Sequence, residues 1–113
     1  MASVYVSNIV INSGSDFSQS FTLEGSDTNS AYDLTGYTAS SQMRKHAGSS
    51  TSTSFTAEIS LPPTLGKISI SLTSEQTSTI KPGRYVYDIL IEKDGSKTRV
   101  IEGMVLVREG VTR

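Results

Sequence analysis

Between positions 82 and 108 the chain reads PGRYVYDILIEKDGSKTRVIEGMVLVR. Two apolar rows flank Asp94-Gly95: Tyr85, Tyr87, Ile89 and Ile91 before it, and Ile101, Gly103, Val105 and Val107 after it. A period of two is the period of a strand, because successive side chains point to opposite faces. Asp-Gly between two such runs specifies a two-residue type I′ hairpin, whose central residues both need positive φ. Glycine accepts that conformation freely. The stretch therefore predicts a long antiparallel hairpin. Val100, Met104 and Leu106 form a second apolar row on the later strand. A sandwich buries one face of each sheet, so part of this second row is expected to be covered by something else. Pro82-Gly83 fits the centre of a type II turn leading into the hairpin.

Upstream, the same period recurs five times. Ile68, Ile70 and Leu72 follow Gly66; Phe55, Ala57, Ile59 and Leu61 precede Pro62-Pro63, which removes two backbone donors and ends a strand. Tyr37, Ala39, Ser41 and Met43 follow the turn signal Asp33-Leu34-Thr35-Gly36, and Phe17, Gln19, Phe21 and Leu23 follow Asn12-Ser13-Gly14-Ser15. The first segment changes phase: Val4 and Val6 lie in one row and Ile9 and Ile11 in the other, as a bulge or a switch between sheets near Ser7-Asn8 would produce. Residues 25–30 read as a polar loop, and residues 47–54 as a low-complexity segment that is flexible at its start. Only 74–80 suggests helix. Thr73 is a capping residue, Glu75 is acidic in the first turn, and the threonine content limits the helix to one short turn. Seven short strands with turns between them predict an all-β fold: a seven-stranded immunoglobulin-like β-sandwich, with a small closed barrel as the alternative.

Composition agrees. The 113 residues suit one domain, 1–113, which buries roughly 65% of its unfolded surface. Serine and threonine number 33, too many for a helical protein because their side chains compete for backbone hydrogen bonds. The absence of cysteine excludes disulfides and thiolate metal sites. Lys plus Arg is 10 and Asp plus Glu is 11, so the basic excess of a nucleic-acid binder is missing and little charge opposes association. No apolar run reaches the ~20 residues of a membrane span, and the N-terminus lacks the features of a signal peptide. Cytoplasmic synthesis without export is the expectation.

Chemistry-bearing residues are sparse. His46, the only histidine, stands between Lys45 and Ala47 at a strand end and reads as an exposed loop-edge residue. Serines are abundant, but no Gly-x-Ser-x-Gly elbow is present. No glycine pattern forms a phosphate cradle. Asp88 and Glu102 fall on the two hairpin strands, out of phase with the apolar rows, and Arg44 is a candidate partner for either. Two carboxylates could serve a glycosidase; an ion-pair cluster on a sheet face is the plainer reading. Tyr85 and Tyr87 read as core, whereas Tyr5 or Tyr32 could lie exposed at an interface. Gly103 leaves room for a close neighbour, such as a tyrosine ring across the sheet. No catalytic, cofactor-binding or metal-binding residue is assigned.

One ordered pattern adds a resemblance. It comprises Asp33-Leu34-Thr35-Gly36-Tyr37-Thr38-Ala39, Gln42-x-Arg44, Gly66-x-Ile68-x-Ile70-x-Leu72-Thr73, Pro82-Gly83-Arg84-Tyr85-Val86-Tyr87-Asp88, Asp94-Gly95, Thr98 through Val107, and Val111-Thr112-Arg113. From about Phe17 to Arg113 it resembles a family of small tailed-phage structural domains, the N-terminal module of phage upper-baseplate proteins. The resemblance implies an immunoglobulin-like sandwich and a non-enzymatic virion role, with other virion proteins as partners and an oligomeric state within the particle. It brings no catalytic residue, cofactor, nucleic acid or membrane. Upper-baseplate proteins continue into further domains, whereas this sequence ends soon after the motif. A tail, baseplate or fibre-attachment adaptor is therefore expected, with a capsid-surface decoration protein or a small carbohydrate-binding module as alternatives.

Overall fold

A computed structural model describes residues 5–24 and 32–111. The expectations for Val4, for the polar loop over 25–30 and for Thr112-Arg113 lie outside the described residues.

The elements are, in chain order, β1 (Tyr5–Val6), β2 (Ile9–Asn12), β3 (Phe17–Thr22), β4 (Thr38–Arg44), β5 (Thr53–Ile59), a 3₁₀ turn (Pro63–Leu65), β6 (Lys67–Leu72), α1 (Ser74–Ser78), β7 (Gly83–Lys93) and β8 (Ser96–Arg108). They form two layers. In one, β1 and β2 both pair in parallel with β8, followed by β7, β4 and the first half of β5; in the other, the second half of β5 is followed by β6 and β3. β5 crosses between the layers: Thr53 to Phe55 pair with β4, and Thr56 to Ile59 with β6. This is the strand arrangement of an immunoglobulin-like sandwich. The expected seven strands are present, the first of them divided in two.

Alternation places the core between the layers. Ile11, Leu23, Ile68, Ile70, Ile89, Val105 and Val107 are buried there. Phe55, at the crossing point, meets Phe17 from one layer at 5.9 Å between ring centroids and Tyr87 from the other at 6.2 Å. Such tilted aromatic pairs add about 1 kcal/mol each beyond their burial. Thr73 and Gln76 close a reciprocal capping box on α1: the Gln76 N–H donates to Thr73 Oγ1, and the Thr73 N–H donates to Gln76 Oε1. The Tyr85 hydroxyl donates to the Lys81 carbonyl, fastening the corner between α1 and β7 as the tyrosine corner of immunoglobulin-like domains does.

The hairpin closes as expected. Lys93 pairs with Ser96, and Asp94 and Gly95 have φ of 52° and 83°. Four other expectations need correction. Pro82-Gly83 is not a type II turn: Gly83 has φ 145° and already pairs with Val107 as the first residue of β7. Leu61 lies beyond β5 and is 82% exposed, because the chain turns away at Pro62. Val100 leaves the row of Met104 and Leu106. Ile89 pairs with Ile101 but Leu90 with Arg99, so Val100 is the extra residue of a β-bulge, and both Val100 and Ile101 are buried. The first strand contains no register slip. Tyr5 pairs with Ile101 and Ile9 with Val105, an offset of 96 on both sides of Ser7-Asn8. Its change of apolar phase arises because Val6 faces outward, while Ile9 and Ile11 face the core.

Candidate functional site

Side chains directly opposite one another on paired strands share a face. On β7, Tyr87, Ile89 and Ile91 point inward, so Arg84, Val86, Asp88 and Leu90 form the outward row. Cross-strand register adds Leu106 beside Arg84, Met104 beside Val86 and Glu102 beside Asp88. β4 contributes Arg44 beside Val86 and Gln42 beside Asp88. At the other edge Val10 stands beside Leu106 and Val6 beside Glu102. The outer face of the larger layer therefore carries an apolar patch, with Val6, Val10, Met104 and Leu106 exposed at 73%, 49%, 47% and 42%. Next to it lies a charged zone. A shallow depression of about 660 Å³ spans the two, lined by Gln42, Arg44, Asp88, Leu90, Arg99 and Met104 among others.

Asp88 and Glu102 lie on neighbouring strands as expected, and the Val100 bulge sets them directly opposite each other; the unshifted hairpin register of Lys93 with Ser96 would have set Asp88 against Ile101. The cation between them is Arg99, not the expected Arg44. Arg99 Nε lies 3.3 Å from Asp88 Oδ2, and its Nη1 lies 3.4 Å from Glu102 Oε1. The Arg44 guanidinium instead donates to the Ser49 carbonyl at 2.6 Å and to Gln42 Oε1 at 3.0 Å. Strict alternation puts Arg99 in the row of Ile101; the Val100 bulge turns it outward beside Leu90. Exposed pairs of this kind contribute little stability, about 0–1 kcal/mol each. They form the ion-pair cluster on a sheet face anticipated above.

The edge strand is held over Gly103 by a backbone latch. A Cβ at Gly103 would lie 2.1 Å from the Ser7 carbonyl oxygen, so that carbonyl occupies the space a side chain would take. The oxygen accepts the Tyr87 hydroxyl at 2.6 Å, the Ser7 N–H donates to the Glu102 carbonyl at 2.9 Å, and Asn8 Oδ1 accepts the Met104 N–H at 3.0 Å. The close neighbour of Gly103 is therefore the Ser7 peptide and not the expected tyrosine ring; Tyr87 across the sheet is that peptide's hydrogen-bond partner. Burial pushes the Tyr87 phenol above its ordinary value. The latch also brings Val6 and Val10 into line with the apolar patch.

The other singled-out residues lie apart from this face or at its margin. His46 is exposed in a turn closed by the Ser49 N–H on its own carbonyl. Tyr5 is 40% exposed at the sheet edge. Tyr32 packs edge-on against Tyr37, with ring planes at 65° and hydroxyls 3.4 Å apart. Tyr87 is buried, and the Tyr85 hydroxyl is committed to Lys81. The described tyrosines therefore form no coplanar exposed platform. Among the described residues no cluster of three or more histidine or acidic side chains is arranged to hold a metal, and no helix is long and apolar enough to cross a membrane.

The chain belongs to the LtfC-like β-sandwich domain family, whose model matches residues 4–108. No curated protein matches its sequence. Among solved structures, Listeria monocytogenes InlP is similar with a TM-score of 0.50 and 12% identity, over 90% of this chain and 26% of InlP. The chain thus spans about a quarter of InlP, and that likeness concerns the sandwich fold alone.

Proposed function

We propose that this domain is a non-enzymatic structural part of a phage particle, an adaptor at the tail, baseplate or fibre attachment. It would be made in the host cytoplasm and work through contacts with other virion proteins. The observation that carries this reading is the outer face of the larger layer. Four exposed large apolar side chains, Val6, Val10, Met104 and Leu106, lie together there beside a charged zone. Contiguous apolar surface rimmed by polar groups is the ordinary mark of a protein-binding site. The sequence resemblance to the N-terminal module of upper-baseplate proteins supplies the phage setting. The paired carboxylates are bridged by Arg99, which supports a structural use for them. A capsid-surface position would use the same face in the same way. The sugar-binding alternative lacks the aromatic platform that such modules stack on.

Mass spectrometry of purified particles from the phage that carries this sequence is the test. Stoichiometric presence of the chain in intact particles supports the proposal. Its absence from particles, with soluble monomer found only in the host cell, refutes it.

A further inference from the structure

We infer that the outer face of the larger layer is self-complementary and docks a second copy of this chain, face to face, about a two-fold axis. The argument rests on register. Along β7 the outward residues Arg84, Val86 and Asp88 are spaced evenly, about 7 Å apart for each two-residue step. An axis lying across the strands through the Val86–Met104 row places Val86 on Val86 and Met104 on Met104 of the second copy. The same operation carries Arg84 onto Asp88 of the second copy, and Asp88 onto its Arg84, so one isologous contact forms two ion pairs. At the edge, Val10 falls over Val6 because their partners Leu106 and Glu102 flank Met104 symmetrically.

Charge supports this pairing over a parallel stacking. Asp88, Glu102 and Arg99 sum to one negative charge at one end of the face, and Arg84 and Arg108 to two positive charges at the other. A two-fold axis across the strands brings unlike ends together; an axis along them would set like ends against each other, at a cost. Leu106 then meets Glu102, whose carboxylate is turned toward Arg99. Arg44, also on the axis row, falls on Arg44 of the second copy, a like-charge pair that counts against the contact; its guanidinium is held by the Ser49 carbonyl and Gln42 Oε1. The face is about 20 Å long over Arg84 to Leu90 and about 15 Å wide over four strands. That is small beside the ~800 Å² per partner of a standard interface, so the dimer should form in the micromolar range rather than the nanomolar.

The inference stands apart from the virion proposal, since a dimer in solution would survive the chain's absence from particles. Its test uses the full chain and the lack of native cysteine. Sedimentation velocity should show a reversible monomer–dimer equilibrium across roughly 10–500 µM. Met104→Cys lies at the axis row and should form a disulfide-linked dimer on mild oxidation about tenfold faster than Leu61→Cys, which is more exposed but lies off this face. Arg84→Asp should weaken the dimer about tenfold, and Arg84→Asp with Asp88→Arg should recover part of the loss, because the direct pairs re-form while the Asp88–Arg99 bridge is lost. Circular dichroism checks that each variant keeps its strand content. A monomer at every concentration, equal cross-linking at 61 and 104, or failure of the charge exchange to restore association would overturn the inference.

Discussion

Replacing Gly103 by alanine tests the latch that holds the edge strand. The added methyl would sit 2.1 Å from the Ser7 oxygen and 2.8 Å from its carbonyl carbon, so the Ser7 peptide must move. Moving it breaks three hydrogen bonds: Tyr87 to Ser7, Ser7 to Glu102 and Met104 to Asn8. At about 1 kcal/mol net each, the loss is about 3 kcal/mol. Alanine reduces the freedom of the unfolded chain and returns about 0.4–1 kcal/mol. The balance is a destabilisation of about 2–3 kcal/mol, or a fall in Tm of roughly 10–20 °C for a domain of this size. Tyr87→Phe removes one of the same bonds and should cost about 1–2 kcal/mol. Because the two variants break a shared interaction, their combined effect should fall short of the sum by about 1 kcal/mol. Urea unfolding of both single variants and the double variant measures all three numbers. A Gly103→Ala protein within about 0.5 kcal/mol of the parent, or strict additivity, would refute the latch.

Gly95→Val should cost about 1–2 kcal/mol by thermal unfolding; no atom lies within 4 Å of the new Cβ, so the loss comes from the positive φ alone. Thr77→Val should cost about 1–3 kcal/mol, since the buried hydroxyl donates to the Ser15 carbonyl and accepts the Gly14 N–H, and the isosteric methyl satisfies neither. Tyr87 predicts an alkaline limit. Its folded pKa is raised above the ordinary value, so its contribution is full below about pH 10 and is lost as pH rises through the folded pKa. The urea midpoint of the parent should fall over that range more steeply than that of Tyr87→Phe. His46→Ala should change stability by less than about 0.5 kcal/mol, and added chelator should leave Tm unmoved.

Local physical chemistry made much of this fold legible in the sequence alone. Alternation located every strand of the sandwich, because one face of each sheet must be apolar. Asp94-Gly95 marked the hairpin that makes the strands of Asp88 and Glu102 neighbours, and Thr73 with Glu75 marked the short α-helix. The apolar row of Met104 and Leu106 already pointed to a face needing cover. Tertiary structure decided what alternation cannot express. A bulge at Val100 costs one residue of register and reverses the face of Arg99, so the cation that bridges the carboxylates sits in the wrong row of a strictly periodic reading. The space above Gly103 was readable as a gap. Its occupant, the Ser7 carbonyl held by Tyr87, comes from a strand nearly a hundred residues away. Val6 looked out of phase for the same reason: a terminal strand takes its face from the neighbour it pairs with, and that pairing is a long-range choice that no local pattern encodes.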